Sequence, residues 1–281
     1  MMLKKWFKYL LRSLYLLQLA DYFFYIRDLA KNKNANKRFI ADNPGYAIPP
    51  KALAYDAYGH TNWQAYHDTG CKHATLITSL LQRHLKADDP AICEWGCGPA
   101  RVIRHLSAIP GYKSISLTGV DYNEKSINWC KDNIPGIDFV QNNLEPPLPF
   151  EPSSFDCIYA ISVFTHLSEP SHYAWIGEIY RVLKVNGLFI FTTHGEMSAE
   201  KLLPFQKEKL DSGRLVTELN YSEGKKHFLA YHSEAFIRHK LLKIIDKHLI
   251  LEHIKDASSF DLMQEVWVIK KQKVDKENRQ K

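Results

Sequence analysis

The chain has 281 residues, 45% of them apolar and 24% charged, with a formal net charge of +6. These are ordinary globular values, and the length suits one large α/β domain with attachments, so a disordered or fibrous chain is excluded and no disulfide or metal staple is needed. The charge is uneven: residues 1–40 sum to +7 and residues 270–281 to +4, leaving the body at −5, without the basic stripe of a nucleic-acid enzyme.

Residues 3–30 read as one helix rich in Leu, Tyr and Phe. Its apolar stretch is interrupted by Arg12 and Asp21, too soon for a bilayer span, and no small-residue cleavage site follows. With Lys4, Lys5, Lys8 and Arg12 at its start, it is expected either to lie peripherally on the inner face of a membrane or to pack on protein. Residues 31–50, punctuated by Asn43-Pro44-Gly45 and Pro49-Pro50, read as a linker. A helix follows over 62–86, starting near Asn62. Strands are expected at 91–95, 114–120, 138–141, 155–162 and 188–193, alternating with helices at 99–109, 126–133 and 172–183. The region 195–235 breaks this rhythm with a short helix at 199–210 and short strands near 215–219 and 227–231. Strands at 243–253 and 265–271 suit an antiparallel pair, and Ser233 suits a helix N-cap.

The expected fold is therefore α/β: a Rossmann-like doubly wound sheet, mostly parallel with a terminal antiparallel hairpin, plus N-terminal helices and a small inserted cap. The divisions are 1–40 helix and linker, 41–88 lid and first helix, 89–271 core with a cap at about 195–235, and 272–281 charged tail. Cys71, Cys93, Cys97, Cys130 and Cys157 contain no Cys-x-x-Cys pair, so a reducing, cytoplasmic location and no metal are expected.

Glu94-Trp95-Gly96-Cys97-Gly98-Pro99-Ala100-Arg101 falls between a strand and an expected helix, where glycines allow a sharp turn and close ligand approach. Free N–H groups at the helix start would suit a carboxylate. Asp121, 23 residues after Gly98, can accept both hydroxyls of a ribose. A nicotinamide site shares this signature. Against it, Arg101 replaces a third glycine, Glu94 would face a cationic ligand, and the terminal antiparallel pair belongs to methyltransferases.

The segments ICEWGCGPARVIRHL, LTGVDYNEKSINWC, FVQNNLEPPLPFEPSSFDCIYAISVFTHL and YRVLKVNGLFIFTTHG together resemble the successive motifs of class I S-adenosylmethionine-dependent methyltransferases, over about residues 91–195. The resemblance implies that Glu94, Trp95, Gly96, Cys97, Gly98 and Arg101 surround the methionine part and that Asp121 holds the ribose. It places Tyr122 against the adenine, and Asn142, Asn143 and Leu144 where the family reaches the adenine amine, with Asn143 in place of the usual Asp. Ser162 and Val163 fall beside the methyl group. Lys184-Val185-Asn186-Gly187 departs from the usual Pro-Gly-Gly. The flanks resemble a bacterial group associated with glycan assembly.

The implied activity is methyl transfer to an oxygen, and less readily a nitrogen, of a small-molecule or glycan-type acceptor, with no nucleic acid as partner. A nicotinamide-dependent oxidoreductase and a non-catalytic binding module are the alternatives. The acceptor should sit above the carboxyl ends of the strands. His194 and His166 follow core strands and are the candidate bases, in that order. Tyr55, Tyr58 and His60 in the lid, and Tyr231 and His232 in the insert, are candidate acceptor contacts, each with plain packing as the alternative. Trp129 and Trp175 read as packing.

Overall fold

The computed structural model describes residues 6, 17–107, 109–218 and 221–273. Most of the expected N-terminal helix before residue 17 and the charged tail beyond 273 lie outside them. The sheet has seven strands: β1 Ala91–Trp95, β2 Ser116–Asp121, β3 Asp138–Gln141, β4 Phe155–Ala160, β5 Leu183–Thr193, β8 His248–Ile254 and β9 Glu265–Lys271, in the order β3-β2-β1-β4-β5-β9-β8. The first five run parallel, while β9 is antiparallel to both β5 and β8.

Alternation along the strands supplies two cores. In β9, Val266 and Val268 face a cluster with Leu76, Leu80 and Ile103; Trp267 and Ile269 face one with Trp95, Phe164 and Trp175. Period-two side-chain direction produces this division. Helices α3 (Trp63–His84), α4 (Glu124–Asn133) and α5 (Glu169–Val182) cover the faces. Their starts carry side-chain caps: Asn62 accepts from the Ala65 N–H, Asn123 from Lys125 and Ser126, and Ser168 from Ser171. Each satisfies a donor that the helix leaves unpaired.

Three elements depart from expectation. The stretch expected as a linker is helical as far as Asp42, in α1 (Leu17–Asp42). Its polar residues are bonding groups: the Asn36 side-chain amide donates to the Thr61 carbonyl at 2.7 Å and accepts from the Trp63 N–H at 2.9 Å. Asp28 accepts from the Thr61 N–H and hydroxyl at 2.6 and 2.7 Å. Composition read as solvation was docking, so the described part of α1 packs on its own chain. A short helix, α2 (Lys51–Tyr58), follows Pro50 and ends at Gly59 with φ +73°. The third departure is at 99–109, where turns lead into one 3₁₀ segment, Ile103–His105, and no α-helix forms.

The insert holds a one-turn helix, Glu196–Ala199, then α6 (Pro204–Asp211) and a two-stranded ribbon, β6 (Val216–Thr217) with β7 (Ala230–Tyr231). Ser233 caps the next helical turn by accepting from the Phe236 N–H at 3.0 Å. Among the described residues, no helix is long and apolar enough to cross a membrane.

Candidate active site

A cleft opens at the carboxyl ends of β1, β2 and β4, where the chain order reverses across the sheet and ligands of such folds bind. It encloses about 1020 Å³, open mouth included. Gly96 can turn there because it has no Cβ: φ is +78°, and a Cβ would meet Val163 Cγ2 at 2.4 Å. Gly98 lies behind the wall, under Tyr58, and its N–H donates to Asp121 Oδ2 at 2.8 Å. Asp121 Oδ1 accepts from the Asn123 N–H at 2.8 Å. Burial pushes this carboxyl up although both bonds oppose the shift. Each oxygen keeps lone-pair capacity toward the cleft, which Asp121 lines.

Three polar atoms on residues lining the cleft are buried without a partner: Tyr58 Oη, Arg101 Nε and Asn142 Oδ1. Unmet buried polar groups are costly, so these three are candidates to bond a ligand. Asn142 is held in one orientation because its Nδ2 donates to the Asn143 carbonyl at 2.6 Å, leaving Oδ1 as an acceptor. Arg101 lies 4.5 Å over the Tyr58 ring and donates to Thr69 Oγ1 at 2.8 Å.

Trp95, Tyr122, Asn143, Leu144, Ser162 and Val163 also line the cleft. The Trp95 ring rests on Trp175 at 4.6 Å, and the Trp175 indole donates to the Leu144 carbonyl at 3.0 Å. Trp175 therefore both packs and shapes the site. Besides Gly98, two expected cofactor contacts point elsewhere. Glu94 is buried below the loop, accepting from Tyr159 Oη and the Ile103 N–H, both at 3.0 Å; burial raises its carboxyl to about 8. It braces the turn and lines neither the cleft nor the cavity beside it. Cys97 is buried against Gly119. The expected row of free helix N–H groups is also missing, since the turn bonds internally, with Ala100 N–H donating to the Cys97 carbonyl at 3.0 Å.

A second cavity adjoins the first and shares Ala57, Tyr58, Arg101, Ser162, His166 and Lys226 with it. His194 and His60 line this cavity only. His166 Nδ1 bonds the Phe228 carbonyl at 2.7 Å and His194 Nδ1 the Ala230 carbonyl at 3.1 Å. A carbonyl only accepts, so both rings carry their proton on Nδ1 and keep the Nε2 lone pair. Burial lowers both imidazoles, His194 to about 4. His60 Nδ1 accepts from the Asn62 N–H at 3.2 Å.

Tyr231 and His232 reach neither cavity. β7 turns them inward: Tyr231 packs beside His194 at 5.3 Å, and His232 Nε2 pairs with His172 Nε2 at 2.7 Å. Tyr55 also lines neither cavity. Its hydroxyl donates to Asp21 at 3.2 Å, and Lys226 Nζ lies 3.9 Å over its ring. Lys226 also pairs with Asp21 at 2.7 Å, so α1, α2 and the insert form one roof.

Gln264, His73, Gly224 and Lys226 went unread in the sequence. Gln264 Nε2 donates to Ser162 Oγ at 2.9 Å and lies 3.5 Å from His194 Nε2; its Oε1 accepts from Thr192 Oγ1 at 2.5 Å. Ser162 is held at φ +62° beside this group. Gly224, with φ +78° between Glu223 and Lys225, was the one available signal of a tight turn, and the Tyr122 hydroxyl donates to its carbonyl at 2.8 Å. Among the described residues, no group of three or more His, Cys, Asp or Glu could hold a metal.

Residues 93–191 match the methyltransferase domain family. Over these residues the chain carries a methyltransferase domain. The chain is 25% identical over 195 residues to the tRNA N(3)-methylcytidine methyltransferase of Schizosaccharomyces pombe, covering 62% of this chain and 59% of that one. It is 31% identical over 156 residues to the sterol 24-C-methyltransferase of the same yeast, covering 49% and 38%. The chain thus spans only part of the curated relatives it matches. A Listeria monocytogenes structure assigned as an S-adenosylmethionine-dependent methyltransferase shares the fold with a TM-score of 0.51 at 17% identity, over 73% of this chain and 99% of that one. S-adenosylmethionine is the cofactor of this family. The unpartnered Asn142 Oδ1 suits an adenine amine, the Asp121 carboxylate suits vicinal hydroxyls and the Arg101 Nε suits a carboxylate, so the residues present fit it.

Proposed function

We propose that this protein methylates an oxygen, and less readily a nitrogen, of a small-molecule or glycan-type acceptor. The observation that carries this reading is the second cavity, entered past Ser162 and His166 from the end of the cofactor cleft, with two imidazole Nε2 lone pairs in its wall. Asp121, Asn142, Tyr122 and Arg101 would hold the cofactor. Bound there, it supplies a methyl group on a sulfonium, already primed for displacement. The protein's part is orientation, which supplies several kcal/mol, and removal of the acceptor proton at His194 Nε2 or His166 Nε2.

The yeast relative that acts on tRNA favours a second reading, a nucleic-acid acceptor. The −5 charge of residues 41–269 weighs against it, because phosphate contacts dominate such binding. A membrane contact for α1 would rest on Tyr22, Phe23 and Phe24, which are exposed. Incubating the full chain with methyl-labelled cofactor and separate pools of tRNA, sterols and glycosides tests the reading. Label in the glycosides supports it; label confined to tRNA or sterol refutes it.

A further inference from the structure

We propose that the second cavity is the acceptor site and that His73, on α3, is a recognition residue there for a neutral, multiply hydroxylated acceptor. This rests on the methyltransferase reading of the cleft beside it. His73 is only 3% exposed and lines the cavity, yet neither ring nitrogen completes a hydrogen bond. The Asp261 main chain favours its proton, but burial is stronger and lowers the group to about 4. A neutral imidazole offers one donor and one acceptor, the complement that a hydroxyl presents in return. A buried group left unbonded while lining a cavity is available to a ligand.

The rest of the wall points to the same ligand chemistry. Burial also lowers His60, His166 and His194, so these three imidazoles present no positive charge at neutral pH. Of the fixed charges in the wall, Lys226 pairs with Asp21 and Asp261 with Lys72, and Arg101 bonds Thr69 over the Tyr58 face, which leaves Lys201 as a single further cation. A polyphosphate strand would find no row of uncommitted cations among the described lining residues. A sterol would strip water from His73, Gln264 and His194 and return no hydrogen bonds, a net cost. A sugar ring offers donors and acceptors on several sides and an apolar face for Leu229 and Leu262, which also line the cavity.

Saturation-transfer NMR on the full chain with S-adenosylhomocysteine tests this. The probes are methyl pyranosides of mannose, galactose and rhamnose, with cytidine monophosphate and cholesterol sulfate as competitors for the reading. The expected result is transfer to a pyranoside, reduced more than about fivefold in His73→Leu and partly retained in His73→Asn, which keeps a donor and an acceptor. Calorimetry should show S-adenosylhomocysteine affinity unchanged in both variants. Transfer to cytidine monophosphate or cholesterol sulfate alone, to no probe, or equally in wild type and His73→Leu overturns the proposal. If His73→Leu does not fold, Gln264→Ala decides it by the same comparison. Failure of the wild type to bind S-adenosylhomocysteine would instead sink the methyltransferase reading, so the two failures are distinct.

Discussion

Asp121 and Gly98 are joined across the carboxyl ends of the neighbouring strands β1 and β2, the glycine N–H donating to the carboxylate at 2.8 Å. With the Asn123 N–H on the other oxygen, the carboxylate is locked in place before any ligand arrives. Such preorganisation spares the cofactor an ordering cost. Asp121→Ala removes both that brace and two acceptors for the ribose, charge-assisted bonds that contribute about 1.5–3 kcal/mol each. Calorimetry with S-adenosylhomocysteine should show affinity down by more than about tenfold. An unchanged affinity would remove Asp121 from the site.

The two adjacent asparagines should separate cleanly. Family resemblance pointed to Asn143, but Asn142 carries the buried unpartnered oxygen, while Asn143 presents its carbonyl to its neighbour. Asn142→Ala should weaken S-adenosylhomocysteine by about tenfold, the effect of one neutral hydrogen bond, and Asn143→Ala by much less. Equal losses would show that the pair acts as a unit.

Glu94 gives a prediction with a sign. Its carboxyl sits at about 8 in the fold against 4.5 ordinarily, so the native state holds a proton that the unfolded chain has released in between. That contribution to stability is complete below the ordinary value and is lost as pH rises through about 8. Glu94→Gln keeps the size and an acceptor for Tyr159 and Ile103 without the titration. The difference in unfolding free energy between wild type and variant should therefore tilt toward the variant as pH rises, by up to about 1.4 kcal/mol per unit. Denaturation of the cofactor-free protein across this range checks it. Buried imidazoles such as His172 titrate oppositely, but they are common to both proteins and cancel in the difference.

How far the sequence could be read follows from the range of each interaction. The strands at 91–95, 138–141 and 265–271 were legible because burial on both faces, or alternation, is written locally. The helix through 31–42 was not, because Asn32, Asn36 and Asp28 look like solvated residues until Thr61 and Trp63 arrive beside them. Glu94 was misread for a similar reason: its partner Tyr159 lies 65 positions away. Gln264 and His73 carry no motif, and only the fold brings them to one cavity.

The base is the last question the structure sharpens. At the level of sequence, His194 ranks above His166 because Gly195 leaves it room while His166 stands four residues past Ser162, where a turn of helix would carry it aside; for either, an imidazole near its ordinary value would suit proton abstraction at neutral pH. The fold keeps the geometry and changes the energetics. The Ala230 carbonyl fixes the proton on Nδ1 and leaves Nε2 toward Gln264 and the second cavity, but burial lowers the ring to about 4. Such a base is ready at every working pH and is also weak, so its contribution belongs at the low end of the usual range, about a hundredfold. His166 stands at the junction of both cavities and is the alternative. His194→Ala should lower kcat about a hundredfold with cofactor affinity nearly unchanged, and His166→Ala should also disturb cofactor affinity, since His166 lines that cleft. The wild-type rate should show no rise between about pH 5.5 and 7.5 from this group, because it is already deprotonated there. A clear step near 6.5 that disappears in His194→Ala would contradict the buried, weakly basic imidazole. A kcat left unchanged by both substitutions would mean that orientation alone carries the transfer.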